Sequence, residues 1–252
     1  MERGLTGNKM KYIAAAAMVV DHIGMVFLSV QTIPGLLCRI VGRLTAPIMI
    51  YLLTEGYAHT SNRKKYGIRL LVFALISQIP YCLMQYGLPH MDVATGERVM
   101  PTFWETVLHP DFNMLFTLFL SFLALYVYDL VPGFTLRCVL FGGIYGLSMF
   151  CDWGMVAPIY AIAFAAHRDS RSEQAKWFSI VTVGYVIIGI LFCVSSDQNW
   201  YGQLWQAGLF LFLPFLFLYN GERGSKGAFH KWFFYVFYPL QFIILWLIKY
   251  VV

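Results

Sequence analysis

Apolar stretches of membrane-spanning length recur along the whole chain, separated by short polar segments rich in charge, Gly or Pro. There are nine, at roughly 12–30, 36–57, 66–86, 112–130, 134–150, 153–167, 177–195, 204–219 and 232–252. Runs this long and this apolar read as helices, since a helix satisfies its own backbone polar groups in lipid. The fifth and sixth are short. Gly142, Gly143, Gly146 and Pro158 break them or let them pack closely, and merging them leaves eight spans.

Charge supports the count. Fourteen of the 18 Lys and Arg residues fall on one side if the N-terminus is cytoplasmic, and only Arg98 and Lys249 fall on the other. Arg39 and Arg43 are left within or at the mouth of the second span. The pattern predicts nine spans with the N-terminus in and the C-terminus out. Trp104, Trp153, Trp200 and Trp205 are expected at the outer interface, and Trp177 and Trp232 at the inner one.

Composition agrees: 59% of the 252 residues are hydrophobic and 12% are charged, against about a quarter charged in soluble domains. The expectation is an all-α polytopic bundle in the lipid bilayer, a single integral membrane domain over 1–252. The first apolar segment is too long for a signal-peptide core and lacks a small-residue cleavage site, so it is expected to be retained. The net charge of +5 is a topology signal and implies no nucleic-acid partner. Five widely spaced cysteines with no Cys-x-x-Cys read as free thiols, with neither metal site nor disulfide framework.

The residues that break the apolar pattern carry the chemistry. Asp21 and His22 stand near the middle of the first span, where a charge costs at least about 2.5 kcal/mol. Neighbours on a helix point about 100° apart, so one faces a site while the other holds a neighbouring helix. Arg39 and Arg43 share one face of the second span, and two cations there need an anion. Arg39 is shallow enough to snorkel. Arg43 is deeper, and Asp21 is its expected partner. Glu55 and His59, also four apart, face the inner side. Beyond them Arg63, Lys64, Lys65, Tyr66 and Arg69 form a basic, aromatic cluster suited to lipid headgroups or to a phosphorylated ligand. Asn113 with Thr117, and Asp152 with Gly154, line an outward cleft or cap helices. Pro239 is expected to kink the last span and free backbone carbonyls.

Taken together, these residues resemble the TraX family, named for a pilin acetyltransferase of conjugative systems. The resemblance rests on Asp21-His22-Ile23-Gly24; Gly42-Arg43 with Pro47; Glu55-Gly56-Tyr57 with His59-Thr60, Asn62, Lys65-Tyr66 and Arg69-Leu70; the run from Phe73 to Pro80; Asn113 with Phe116-Thr117-Leu118; Asp152 with Gly154; Tyr219-Asn220-Gly221; and Phe234-Tyr235 with Phe237-Tyr238-Pro239-Leu240. The family commonly has a His after the Tyr-Pro-Leu run, and here Gln241 stands there, able to offer a hydrogen bond but no acid or base.

The resemblance implies an acyltransferase of a bacterial cytoplasmic membrane, taking an acetyl group from cytoplasmic acetyl-CoA to an acceptor outside, a peptide N-terminus or a glycan. His22 is then the general base, with Asp21, Arg43 and Glu55 around it. His59, Arg63, Lys65, Arg69, Lys231 and Tyr238 are the expected donor-binding set, and Asn113 and Asp152 the acceptor-binding pair. No metal is implied. The rival reading is an ion- or proton-coupled transporter, with Asp21, His22, Arg43 and Glu55 as a relay. A reporter enzyme fused after Val252 and active only outside the cytoplasm is expected to be active; inactivity there breaks the nine-span topology.

Overall fold

The computed structural model describes residues 4–88, 90–91, 98–197 and 200–251. Its long helices are α1 (Gly7–Phe27), α4 (Arg63–Tyr86), α9 (Arg171–Ser195) and α11 (Ala228–Val251). Shorter ones are α2 (Ile33–Gly42), α3 (Thr45–His59), α5 (Phe103–Val107), α6 (Met114–Leu130), α7 (Phe134–Ser148), α8 (Val156–Ala166) and α10 (Phe212–Leu218), the last preceded by a 3-10 helix, Trp200–Leu211. A two-residue antiparallel pair, β1 (His90–Met91) and β2 (Arg98–Val99), sits in the long loop before α5.

Every one of the nine apolar segments contains helix. Among the described residues, five helices are long and apolar enough to cross a membrane when α2 and α3 are taken as one 27-residue stretch, and four apolar helical stretches are shorter. The molecule is a membrane helix bundle. The fifth and sixth segments are separate helices, α7 and α8, parted by a turn through Cys151 and Gly154.

The second segment is broken, and the break has a chemical cause. Pro47 has no N–H, so the carbonyl of Arg43, four residues earlier, loses its helical partner. The chain tightens there, with the Leu44 N–H reaching the Val41 carbonyl at 3.1 Å. Arg43 therefore sits at the discontinuity between α2 and α3. Non-helical backbone at such depth persists only where protein buries it. Here α1 covers it, with the Thr45 hydroxyl donating to the Ala14 carbonyl at 3.2 Å, and the 3-10 helix covers it from the other side.

The bundle core is aromatic. Tyr51, Tyr160, Phe164, Phe178 and Phe212 interlock at centroid spacings of 4.8–6.4 Å, and the Tyr160 hydroxyl meets Thr182 at 2.8 Å. The outward face of α9 leaves Ile187, Ile188, Leu191 and Phe192 exposed, as a lipid-facing surface should.

The loops sort into two ends. At the end holding the N-terminus, residues 218–225 are stitched to residues 5–8. Leu5 N–H reaches Leu218 O (2.8 Å), Asn220 N–H reaches Leu5 O (3.0 Å), and Gly7 N–H reaches Glu222 O (2.8 Å). At the opposite end, Phe112 pairs with the 150–152 turn, and the Gln78 amide donates to the Asp111 carbonyl at 2.7 Å. Lys9, Lys11, Arg63, Lys65, Arg171, Arg223 and Lys231 all gather at the first end.

Close helix approach needs two particular glycines. A Cβ on Gly208 of the 3-10 helix would lie 2.3 Å from the Ile40 carbonyl, and one on Gly42 the same distance from the Asp21 carboxyl. Gly208→Val is expected to destabilise by roughly 1–3 kcal/mol. Gly142→Ala, which meets nothing within 4 Å, is expected to leave the melting curve in detergent unchanged. Equal melting of the two variants contradicts the packing at the break.

Candidate functional site

Two polar regions lie inside the bundle, one at mid-depth and one at the basic end. The first is built on α1 and the α2–α3 break. Asp21 faces α2, where Gly42 leaves room for it. Its carboxylate pairs with Arg39 at 2.9 Å, with both side chains at most 20% exposed. This corrects two expectations: Arg39 does not snorkel to the interface, and Asp21 does not take Arg43 as its direct partner. Arg39 occupies the α2 face turned toward α1, while the break swings Arg43 away.

Arg43 is instead held by rings. Its guanidinium lies 4.4 Å from the Trp153 ring centroid and 4.1 Å from that of Trp205. A desolvated cation–π contact contributes up to about 2 kcal/mol. Arg43 Nη1 also donates to Gln206 Oε1 at 3.4 Å, and Gln206 in turn meets the Tyr185 hydroxyl at 3.4 Å. Arg43 Nε is buried and has no hydrogen-bond partner. Trp153 and Trp205, expected in the outer belt, turn inward to make this clamp.

His22 points the other way, toward α11. Its ring lies 4.9 Å from that of Phe242, with the Gln241 amide alongside. His22 Nδ1 and both polar atoms of the Gln241 side chain are buried, and apart from the interaction of His22 with Gln241 they meet no hydrogen-bond partner. Arg39 and Arg43 lie within electrostatic reach of His22. Asp152, exposed on the turn before α8, lies within electrostatic reach of Arg43, Asp21 and Arg39.

Asn113 is fully buried and fully used. Its Oδ1 caps α6 by accepting from Leu115 N–H at 2.9 Å, and its amide donates to Ala74 O (2.8 Å) and Gln78 Oε1 (2.7 Å). Its structural contacts therefore occupy the side chain.

The second region is a cavity of about 700 Å³ at the basic end. Lys11, Arg69, Arg223, Lys226, Lys231, Glu55, His59, Tyr66 and Tyr235 line it, and Met49, Leu53, Leu115 and Leu118 form its apolar wall. Arg69 Nε donates to the Tyr235 hydroxyl at 3.1 Å, with its guanidinium 5.1 Å over Tyr66. Lys11 Nζ donates to the His230 carbonyl at 3.1 Å.

Of the residues the sequence suggests for a phosphorylated donor, His59, Arg69 and Lys231 line this cavity. Arg63 and Lys65 do not. Arg63 is drawn to Asp129 at 2.7 Å and lies over Tyr57, and Lys65 stays exposed. Glu55 belongs to the cavity, away from the Asp21 cluster: it lies 12 residues along from Arg43, about 18 Å at helical rise. Sequence reading passed over Lys11, Arg223 and Lys226 as topology charges. The signal for the last two was the glycine-punctuated loop Gly221, Gly224, Gly227 that carries them.

One face of α11 joins the two regions. Lys231, Phe234 and Tyr235 line the cavity; Tyr238 follows one turn deeper, then Gln241 and Phe242 beside His22. Their rings step inward, with Phe234–Tyr238 at 5.7 Å, Tyr238–Phe242 at 4.8 Å and Phe242–His22 at 4.9 Å. The Tyr238 hydroxyl accepts the Met114 N–H at 2.9 Å, so Tyr238 lies between the regions and does not line the cavity.

The family model described as TraX protein matches residues 6–249. The chain belongs to the TraX family. The match spans both polar regions of this TraX protein and the face of α11 between them. A relative from Dichelobacter nodosus, "Probable fimbrial assembly protein FimC, serogroup H1", is 29% identical over 237 residues, covering 94% of this chain and 93% of that one. No solved structure matches.

Removing one partner of a buried ion pair strands the other, at roughly 3 kcal/mol. Asp21→Asn and Arg39→Met are each expected to lower the melting temperature. The double variant is expected to lose less than their sum, and strict additivity in the thermal cycle contradicts the pair.

Proposed function

We propose that this TraX protein is a membrane-embedded acetyltransferase that takes acetyl from acetyl-CoA at its basic end and delivers it to an acceptor arriving from the opposite end. The observation that carries the reading is the joined pair of sites. A cation-lined cavity sized for a small-molecule ligand leads along α11 to a buried histidine within electrostatic reach of a clamped arginine. Lys11 precedes His22 by 11 residues and Lys231 precedes Gln241 by 10, so both helices set nearly the same depth, about 15–17 Å. A donor with phosphates at one end and a thioester on a long narrow arm matches that geometry.

By the positive-inside rule the basic end faces the cytoplasm, where acetyl-CoA is available, which supports a bacterial cytoplasmic membrane as the place of action. The relative's name places that protein in fimbrial assembly. Carried to this chain, it favours a surface-bound peptide as acceptor over a glycan.

The chemistry balances with the residues present. The acceptor amine attacks the thioester carbonyl while His22 takes its proton. The tetrahedral oxyanion is met by Arg43, whose Nε–H has no other partner, in a site where low dielectric strengthens the contact. Collapse expels the CoA thiolate, which takes the proton back from His22. Asp21 and Arg39 pair with one another, so Arg43 is the guanidinium outside a direct ion pair and available to the oxyanion. In this scheme the cavity residues His59, Arg69 and Lys231 hold the donor. Asp152 at the far opening draws the acceptor inward.

Labelled acetyl-CoA supplied to one face of proteoliposomes tests this. Transfer to a peptide acceptor on the other face is expected, and His22→Ala and Arg43→Ala are expected to lower it by roughly a hundredfold or more without loss of fold. Near-normal transfer in both folded variants contradicts the assignment. Stabilisation by saturating CoA is expected as well, and its absence alongside solute flux would make the protein a transporter.

A further inference from the structure

The cavity holds more positive charge than a diphosphate needs. Five cations line it against one carboxylate, Glu55, and none of the five is in an ion pair among the described residues. They divide by origin. Lys11, Arg69 and Lys231 stand on the helices α1, α4 and α11. Arg223 and Lys226 stand on the loop between α10 and α11.

That loop is fixed in place. Besides the bonds to Leu218, Asn220 and Glu222, the Arg223 carbonyl accepts the Asn8 N–H at 3.0 Å, and the Asn8 amide donates to the Ser225 carbonyl at 2.8 Å. Asn8 is 6% exposed. Gly221 and Gly224 both adopt φ of +84°, which admits glycine readily and other residues at a cost. Gly224 also backs onto Thr6 and Asn8, where a Cβ would come within 3.0–3.1 Å of their side chains. The first N–H groups of α1 are taken by Glu222 and Arg223 carbonyls, so an anion here must be bound by side chains. Arg223 lies close enough to Lys11 and Tyr66 to act on both electrostatically. Cations so crowded repel one another, and an anion of several charges relieves them.

We propose that the Gly221–Gly227 loop is a phosphate-binding strap that recognises a third phosphate, separate from the diphosphate held by the helix cations, and so selects a donor bearing a 3′-phosphorylated nucleotide. This rests on the acetyl-CoA reading and sharpens it. A donor with only the diphosphate leaves the strap cations unanswered. Arg223 gives two-pronged contact to a phosphate and Lys226 a point charge.

The experiment compares CoA with dephospho-CoA, which lacks only that phosphate, by isothermal titration on the full chain in detergent. The natural sequence is expected to bind CoA roughly tenfold or more tightly than dephospho-CoA, the worth of a charge-assisted contact. Arg223→Ala with Lys226→Ala is expected to lose that preference and keep its affinity for dephospho-CoA. Arg223→Lys with Lys226→Arg, preserving charge and loop backbone, is expected to retain most of it. Equal binding of the two ligands by the natural sequence overturns the strap while leaving the acetyl-CoA reading intact. So does a parallel loss of both affinities in the alanine variant. Failure of both ligands to bind the natural sequence overturns the acetyl-CoA reading itself.

Discussion

A guanidinium held between two indoles at the broken point of a helix organises the membrane-embedded half of this protein. Arg43 is at that depth because Pro47 interrupts the helix behind it and releases its carbonyl. Trp153 and Trp205 close on it from the turn before α8 and from the 3-10 helix, which brings those elements against α2. The indoles offset the cost of burial without neutralising the charge, as a carboxylate would. Asp21 is meanwhile satisfied by Arg39. A charge that the fold holds but does not cancel, with an N–H left unpaired, is suited to meeting a negative charge that exists only during reaction.

The second organising constraint is the gradient of charge along the bundle. One end carries a cavity rich in Lys and Arg; the mid-depth cluster combines Asp21, Arg39 and Arg43, with Asp152 within electrostatic reach on the far side; between cavity and cluster runs the aromatic face of α11. In low dielectric, polar groups are costly unless answered, so the unpaired Arg43 Nε, and the His22 and Gln241 side chains with no hydrogen-bond partner beyond one another, mark where the fold has left bonds to be made. Asn113 shows the contrast. Every polar atom on its side chain is used to cap α6 and tie it to α4.

Much of the fold was legible in the chain, because apolar runs of spanning length have few alternatives in lipid. All nine segments proved helical. The break at Arg43 was half visible, in the Gly42-Arg43 and Pro47 pairing, though not as an interruption between two helices. The family was readable from spaced motifs, and His22 and Arg43 lie in one polar neighbourhood. Which cation meets which anion was not readable: Arg39 took Asp21 and Asp129 took Arg63, since pairing depends on the rotation of packed helices. The strap was hidden for a similar reason. Arg223 and Lys226 lie more than 200 residues from Asn8, and hydrogen bonds from the backbone and the Asn8 side chain join the two segments at the cavity.

The central claim is that donor phosphates at the basic end and His22 at mid-depth belong to one continuous site. A structure of the protein with CoA bound tests it most directly. The account predicts the nucleotide in the cavity between Arg69, Arg223 and Lys231, the arm passing Phe234 and Tyr238, and the sulfur beside His22 and Arg43. A sulfur that stops in the cavity short of Tyr238, or CoA bound at the opposite end of the bundle, would contradict it.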